Sequence, residues 1–189
     1  SRFARTVATS LMPYMVNAYP CGTVQWANVI PSTSADSGGE RIAVDSVGNV
    51  YVTGNYKTSS GSIGVSLGNS VTLPPSTIYW AYIVKYDTDG VAQWAEHIPA
   101  TGNSDGLSIA TDSSGNVYTT GHYKNLSTVV TLGNSVTLPA STDLIPDAYI
   151  VKYDTDGVAQ WAVNIPSIDS SGQGISTDSS GNVYVTGYY

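Results

Sequence analysis

Short runs of alternating apolar and polar residues, separated by turn sequences, follow one another along the chain. In IAVDSVGNVYVTG (42–54) two β-rich runs flank Asp45 and Gly48. These residue types favour a tight turn because aspartate bonds the turn backbone and glycine accepts a positive φ. A second unit, AYIVKYDTDGVAQWA, stands at 81–95 and recurs letter for letter at 148–162. Each unit predicts a β-hairpin, and no segment shows an apolar period of 3.6 over ten or more residues, so we expect an all-β protein.

The first hairpin sequence occurs three times. Its copies begin at Asp45, Asp112 and Asp178, which are 67 and 66 residues apart. A diverged copy of the second hairpin, PYMVNAYPCGTVQWANVIP at 13–31, aligns without a gap with 148–166. If the first hairpin supplies strands A and B and the second supplies strands C and D, the chain reads CD-AB-CD-AB-CD-AB. Such repeats of about 67 residues, each with four antiparallel strands, are typical of the blades of a β-propeller.

The repeats are expected to form one unit rather than separate domains. We predict a single β-propeller region over the whole chain (1–189), with repeats at approximately 1–54, 55–121 and 122–189. A connector precedes each full second hairpin and contains LGNSVTLP at 67–74 and again at 132–139. Its alternating Val-Thr-Leu predicts a short extra strand or hairpin.

The block GxxIATDSSGNVYVTG, followed by a connector and AYIVKYDTDGVAQWA, resembles the bacterial β-propeller repeat family often abbreviated SBBP, and more distantly the NHL propellers. The resemblance extends from about Pro13 to Tyr189. It implies a propeller, commonly in secreted or cell-surface bacterial proteins, and it implies no catalytic residues. The first copy departs from the pattern, because Asn17, Ala18 and Cys21 replace the Lys, Tyr and Asp of the other copies.

Three blades are too few to close a ring, since propellers typically have four to eight. The C-terminal A–B hairpin lacks a C–D partner, and the N-terminal C–D hairpin lacks an A–B partner. We therefore expect two chains to form a two-fold homodimer with one six-bladed propeller, in which two blades are completed in trans. A head-to-tail filament, or closure by further blades of a longer chain, would satisfy the same open edges.

Composition and charge exclude several classes of partner. The net charge is −7 with only seven Lys and Arg residues, so neither nucleic acid nor an anionic membrane is expected to bind. No membrane span is predicted, because the uncharged run 6–30 is interrupted by Pro13 and Pro20. The lone Cys21 is either an unreactive thiol or the site of an intermolecular bridge, and Asn125 begins a glycosylation sequon.

Catalytic and metal-binding motifs are missing from the sequence. His97 and His122 are the only histidines and have no motif context, so we predict no enzyme, no cofactor and no metal site. The acidic pairs of the DTDG segments suggest calcium, but no further acid completes a ligand shell. We interpret these pairs, and the recurring aspartates of the first hairpin, as turn residues.

Aromatic residues recur at fixed positions in the repeats. Trp26, Trp94 and Trp161 occupy the same place in strand D and are expected to fill the space between neighbouring blades. A second set follows strand B in each copy and is expected on one face of the disc, where it could bind a ligand: Tyr56, Lys57, Tyr123, Lys124 and Tyr189. Alternatively, these tyrosines cover the connector that follows strand B.

Two functions fit these features. The first is a non-enzymatic, extracellular or cell-surface module for structural assembly or adhesion, with itself or a surface protein as partner. The alternative is a multivalent, lectin-like propeller that binds carbohydrate with one site per blade.

Overall fold

A computed structural model describes residues 24–30, 37–126, 128–141 and 145–189. Cys21 and most of the predicted first C–D hairpin at 13–31 lie outside the described residues. The described part is built from β-strands and contains no helix, so it also has none with the length and apolar character needed to cross a membrane.

Two four-stranded antiparallel sheets and one further hairpin form the framework, with strands numbered in chain order. The first sheet has the order β1 (Gly38–Val44), β2 (Val50–Tyr56), β5 (Trp80–Tyr86), β6 (Ala92–Ile98). The second sheet pairs β7 (Ser104–Thr111), β8 (Val117–Tyr123), β11 (Asp147–Tyr153) and β12 (Ala159–Ile165) in that order. The last hairpin consists of β13 (Ser171–Thr177) and β14 (Val183–Tyr188).

These sheets are propeller blades with strand order A, B, C, D. Each complete blade combines one A–B hairpin with the C–D hairpin that follows it, and β13–β14 is the A–B half of a third blade. The predicted connector hairpins are confirmed, as β3 (Val65–Gly68) with β4 (Val71–Leu73) and β9 (Val130–Thr131) with β10 (Thr137–Leu138). The all-β propeller fold predicted from the repeats is therefore confirmed.

A β-bulge recurs near the start of strand A in all three A–B hairpins. The register shifts between Gly39 and Arg41, between Gly106 and Ser108, and between Gly172 and Gly174. A bulge bends the strand and increases its twist. Each bulge immediately follows a glycine, and Gly106 and Gly172 lie against the preceding blade, as described below.

Tyrosine side chains dominate the core. Six of them are fully buried: Tyr51, Tyr56, Tyr82, Tyr123, Tyr149 and Tyr153. The larger core cluster draws side chains from both complete sheets, including Ile83 of the first and Val151 of the second. The hydrophobic core thus lies between the blades, and a blade without a neighbour leaves part of it uncovered.

Candidate functional site at the blade junctions

Alternation along strand B gives each blade two distinct faces. We call the side directed toward the following repeat the trailing face and the opposite side the leading face. On β2, Tyr51, Thr53 and Asn55 point to the trailing face, whereas Val52 points to the leading face, because successive strand residues point to opposite sides. A junction is formed where the trailing face of one blade packs on the leading face of the next.

Each described junction brings a threonine of strand B against a glycine of the next strand A. A Cβ atom placed on Gly106 would lie 2.2 Å from Oγ1 of Thr53, and one placed on Gly172 would lie 2.0 Å from Oγ1 of Thr120. Any side chain at these glycines would therefore collide with the preceding blade. Thr53 Oγ1 also donates a hydrogen bond to the carbonyl of Tyr82, which fixes the hydroxyl in position.

Further polar contacts run between adjacent first strands. Thr111 Oγ1 donates to the carbonyl of Val44, and Thr177 Oγ1 donates to the carbonyl of Thr111. The backbone N–H of Ile175 donates to Ser108 Oγ at 3.2 Å. Both junctions thus combine side-chain packing with hydrogen bonds to the neighbouring backbone.

The tryptophan of strand D fills the outer part of the junction. The Trp94 ring lies between Tyr51 of its own blade and Tyr153 of the next, with centroid separations of 6.0 and 6.4 Å. Its Nε1 donates to the carbonyl of Thr155 at 3.0 Å. A Cβ on Gly157 would lie 2.8 Å from this ring, so the DTDG turn needs glycine for its positive φ and also for this close approach.

Trp26 repeats this arrangement on the first blade. Its ring lies 5.7 Å from that of Tyr86 and would collide with a Cβ on Gly90. Asn28 Nδ2 donates to the Gly90 carbonyl at 2.6 Å. Segment 24–30 therefore occupies the strand D position of a preceding blade, and the predicted packing role is confirmed for Trp26 and Trp94.

A polar chain that sequence reasoning missed joins all three A–B hairpins at one rim. His122 Nε2 lies 3.0 Å from Asp105 Oδ2, and Asn55 Nδ2 donates to the other oxygen of that carboxylate. On the far side, His122 Nδ1 lies 3.3 Å from Ser171 Oγ. Burial by itself would raise the pKa of Asp105, but the hydrogen bonds from His122 and Asn55 outweigh it and hold that pKa below its usual value.

The contacts that run from Ser171 through His122 to Asp105 suggest a nucleophilic triad, but the burial of Ser171 opposes that interpretation. Ser171 is completely buried, and its hydroxyl also accepts a hydrogen bond from Gln173 Nε2. A nucleophile must be reachable by its substrate. These residues instead form hydrogen-bond contacts that hold adjacent blades together.

The recurring aspartates act on their own turns. Asp112 Oδ1 accepts the N–H groups of Ser114 and Asn116, and its Oδ2 accepts the Asn116 amide and the Tyr118 hydroxyl. Asp45 and Asp178 make the equivalent four bonds. Burial raises the pKa of Asp112 somewhat, but these bonds lower it below the usual range.

The turns of the second hairpins are held in the same way. Asp87 Oδ1 accepts the N–H groups of Asp89 and Val91, while its Oδ2 accepts the amide of Gln93. Asp154 repeats this pattern. The first aspartate of each DTDG segment therefore uses its carboxylate oxygens inside the turn, as its interpretation as a turn residue requires.

The structure places the predicted ligand-binding residues in different environments. Tyr56 and Tyr123 are fully buried, and their hydroxyls donate to the carbonyls of Pro74 and Pro139 in the connectors. As placed, these two rings present no surface on which a sugar could stack. Tyr189 is 54% exposed.

The lysines of this set are partly exposed, whereas the sequon asparagine is buried. Lys57 and Lys124 are half-buried, and Lys57 Nζ lies 5.2 Å from the centre of the Tyr79 ring. Asn125 is buried, and its amide donates to the carbonyl of Thr128. Ligand binding at the five predicted positions stays a prediction, without the exposed tyrosine pair that motivated it.

Glu96 on β6 is a partly buried carboxyl group at the junction between the two complete blades. Burial raises the pKa of Glu96 on β6 to about 7. Its charge acts on Tyr153 across the junction, although burial of the phenol is the larger cause of the raised pKa of that tyrosine. The Tyr153 hydroxyl is buried without a hydrogen-bond partner among the described residues.

The two ends of the described structure expose surfaces that the junctions bury. On the leading face of the first blade Ile42 is 65% exposed, whereas Ile109, its counterpart in the second blade, is 6% exposed. On the trailing face of the last hairpin Tyr184 is 58% exposed, whereas its counterpart Tyr118 is 2% exposed. Trp161, at the position of Trp94, is also exposed.

Comparison with known proteins agrees with this architecture. The chain is 28% identical over 192 residues to an uncharacterized WD repeat-containing protein of Acanthamoeba polyphaga mimivirus, a match that covers 88% of this chain. The chain spans 13% of the length of that relative. The family described as a beta-propeller repeat, SBBP, matches residues 33–55 and 160–188, and both segments include strands of an A–B hairpin. The resemblance seen in the repeated blocks is therefore confirmed, since two segments of the chain match the SBBP beta-propeller repeat.

Proposed function

We propose that the chain is a non-enzymatic β-propeller module that functions by assembly, in a structural or adhesive role. The observation that carries this proposal is the difference in burial between the internal junctions and the two terminal blade faces. Side chains such as Ile109 and Tyr118 are buried where blades meet, but their counterparts Ile42 and Tyr184 are exposed at the two ends. Apolar and aromatic surface of this kind favours a covering partner.

The use of polar side chains supports a role without catalysis. The recurring aspartates of the hairpin turns cap those turns, and the contacts of His122 with Asp105 and Ser171 connect the second and third A–B hairpins. Propeller repeats of the matched kinds are typically non-catalytic. An interaction role therefore accounts for these residues without a reaction.

We also propose that the module acts outside the cell or at its surface. The SBBP resemblance supports this location, since such repeats commonly occur in exported bacterial proteins. Fractionation of the source cells with an antibody against the chain tests the location. Recovery of the protein in the cytosolic fraction alone would contradict it.

The mass in solution tests the assembly proposal. Light scattering on column-purified protein, measured over a hundredfold range of concentration, should give a mass that rises above 19.8 kDa toward an integer multiple. A mass that stays at one chain throughout this range would refute assembly by the isolated module.

Carbohydrate binding with one site per blade has less support, because Tyr56 and Tyr123 are buried. Its remaining basis is the exposed Tyr189 and the half-buried lysines that follow strand B. A glycan array tests it directly. Saturable binding that weakens in a Tyr189→Ala variant would favour this alternative over pure assembly.

A further inference from the structure

We infer that the trailing face of β13–β14 docks on the leading face of the first blade of a second copy of this chain, with Thr186 opposite Gly39. This inference rests on the assembly function proposed above and names its partner and its register. The same threonine–glycine contact is already present within one chain at the two internal junctions.

The repeat spacing identifies the two residues. Thr53 and Thr120 meet Gly106 and Gly172 at the internal junctions. The next threonine in this series is Thr186 on β14, which is exposed. The glycine that precedes the series is Gly39 on β1. One end of the chain therefore carries the threonine of a junction, and the other end carries the glycine.

The space around Gly39 is free to receive that threonine. A Cβ on Gly39 would find only ordinary contacts, 3.5 Å from Val52 Cγ1 and 3.6 Å from the Tyr82 hydroxyl. This differs from the collisions near 2 Å at Gly106 and Gly172. Among the described residues there is thus no steric reason for glycine at position 39, and a docked threonine would supply one.

Neighbouring positions are also compatible in size. At the internal junctions Asn55 meets Asp105, and His122 meets Ser171. The corresponding pair in the proposed contact is Tyr188 of one copy with Gly38 of the other. Tyr188 is half exposed, and a Cβ on Gly38 would have no atom within 4 Å. The largest side chain of this series would therefore meet the residue that has none.

Segment 24–30 marks where the incoming hairpin belongs. Trp26 and Asn28 hold this segment on the first blade at the strand D position of a preceding blade. Between the segment and the leading face lies a cavity of about 320 Å³, lined by Gly39, Ile42 and Val52 among others. At the internal junction, strand B occupies the space next to the same face. The cavity thus continues an interface that the chain already forms, and among the described strands β13–β14 is the A–B hairpin that has no following blade.

The same contact made twice would close a ring. If the trailing face of each of two copies docks on the leading face of the other, the arrangement has two-fold symmetry and leaves no terminal blade face exposed. A head-to-tail contact that does not close would propagate instead.

Disulfide trapping tests the register. In a Cys21→Ser background, the pair Gly39→Cys and Thr186→Cys should form a disulfide between chains under mild oxidation and give twice the single-chain mass on a non-reducing denaturing gel. The matched control pair, Thr53→Cys and Gly106→Cys, should form its disulfide within one chain and leave the mass unchanged. Gly39→Cys with Ser180→Cys should not cross-link, because Ser180 lies in the turn about 20 Å along the hairpin from Thr186.

A second test compares Gly39 with a residue outside both terminal faces. Gly39→Ala has room among the described residues but places a methyl group where Thr186 would dock, whereas Ser113→Ala changes an exposed residue in a turn of the middle blade. Light scattering should show at least a tenfold weaker association for Gly39→Ala and unchanged association for Ser113→Ala. Equal association of both variants would overturn the register.

The outcomes separate this inference from the assembly proposal. A single-chain mass for the unmodified protein at all concentrations refutes both. Association without the 39–186 cross-link, and without sensitivity to Gly39→Ala, refutes only the register. A ladder of cross-linked masses supports the contact and shows that it propagates, whereas a single band at twice the chain mass supports the closed ring.

Discussion

Trp94 and Trp161 occupy identical sequence contexts, AQWA, yet they lie in different surroundings. Trp94 is partly buried and contacts Tyr51 of its own blade and Tyr153 and Gly157 of the next. Trp161 keeps the contact within its own blade, to Tyr118 at 6.0 Å, and is 36% exposed. The repeat sequence therefore determines the contacts within a blade, while the presence of a neighbouring blade determines how far the tryptophan is buried.

This difference separates two contributions to the stability of a blade. Hydrogen bonds and turns within a blade are present in all copies, including the last hairpin. Packing between blades is present only where a following repeat exists. Equivalent substitutions should therefore have unequal effects at covered and uncovered positions, and that inequality can be measured.

The largest expected effect is at the enclosed tryptophan. Trp94→Ala should lower the free energy of unfolding by about 3 kcal/mol, because it leaves a cavity between two blades. Trp161→Ala should cost about 1 kcal/mol, since its ring is covered on one side only. Urea unfolding of both variants at a concentration below association gives the comparison. Equal losses would show that the junction contributes little to stability.

The glycines of strand A give the next largest effect. Gly106→Ala should destabilise the fold by about 2 kcal/mol, because the added methyl group collides with Thr53. Gly39→Ala is its matched control and should leave the stability of the dilute chain unchanged within about 0.5 kcal/mol. Thermal unfolding of the two variants measures the difference, and a loss at Gly39 as large as that at Gly106 would contradict the described geometry.

The turn aspartates should show a smaller contrast. Asp112→Ala removes four hydrogen bonds from a buried carboxylate and should cost about 1 to 2 kcal/mol. Asp178→Ala removes the same bonds in an exposed turn and should cost less, because water replaces them. Denaturant titration of both variants at pH 7 tests the order, and the reverse order would show that burial does not control the effect.

The smallest predicted effect is a pH dependence at the internal junction. Burial raises the pKa of Glu96 from 4.5 to about 7. The folded state thus binds this proton more tightly than the unfolded state, so the contribution of Glu96 to stability is present at low pH and is lost as the pH rises from about 4.5 through 7. After allowance for partial exposure, we expect a loss of about 1 kcal/mol.

Glu96→Gln provides the control, because an amide does not titrate in this range. The difference in free energy of unfolding between the protein and this variant should fall as the pH rises from 5 to 8. Burial lowers the pKa of the neighbouring His97, which acts in the opposite direction, but that contribution is common to both proteins and cancels. A difference that is independent of pH would show that folding does not raise the pKa of Glu96.

The blade itself could be predicted from the sequence because its signals are local. Asp112 and Gly115 specify their hairpin within ten residues, and the Val-Thr-Leu connector motif specified a further short hairpin. The packing role of Trp94 could also be predicted, because a large aromatic residue that recurs at one strand position in successive repeats is most simply explained by packing between neighbouring blades.

The rim network could not be predicted for a physical reason. Asn55, Asp105, His122 and Ser171 stand at positions whose residue type changes from repeat to repeat, and their contacts cross between blades about 50 residues apart. For Tyr56 the sequence left an exposed ligand-binding role and covering of the connector open, because the choice depends on a tertiary contact in which the Pro74 carbonyl of the connector accepts the Tyr56 hydroxyl.

The bonds from Thr111 to Val44 and from Thr177 to Thr111 each span one repeat length in sequence, 67 and 66 residues. Each junction therefore requires closure of a loop of roughly one repeat, which slows the folding of a chain dominated by distant contacts. The middle blade packs on a neighbour at both faces, whereas the described C-terminal hairpin packs at one face only, so we expect the hairpin to be less stable than the middle blade.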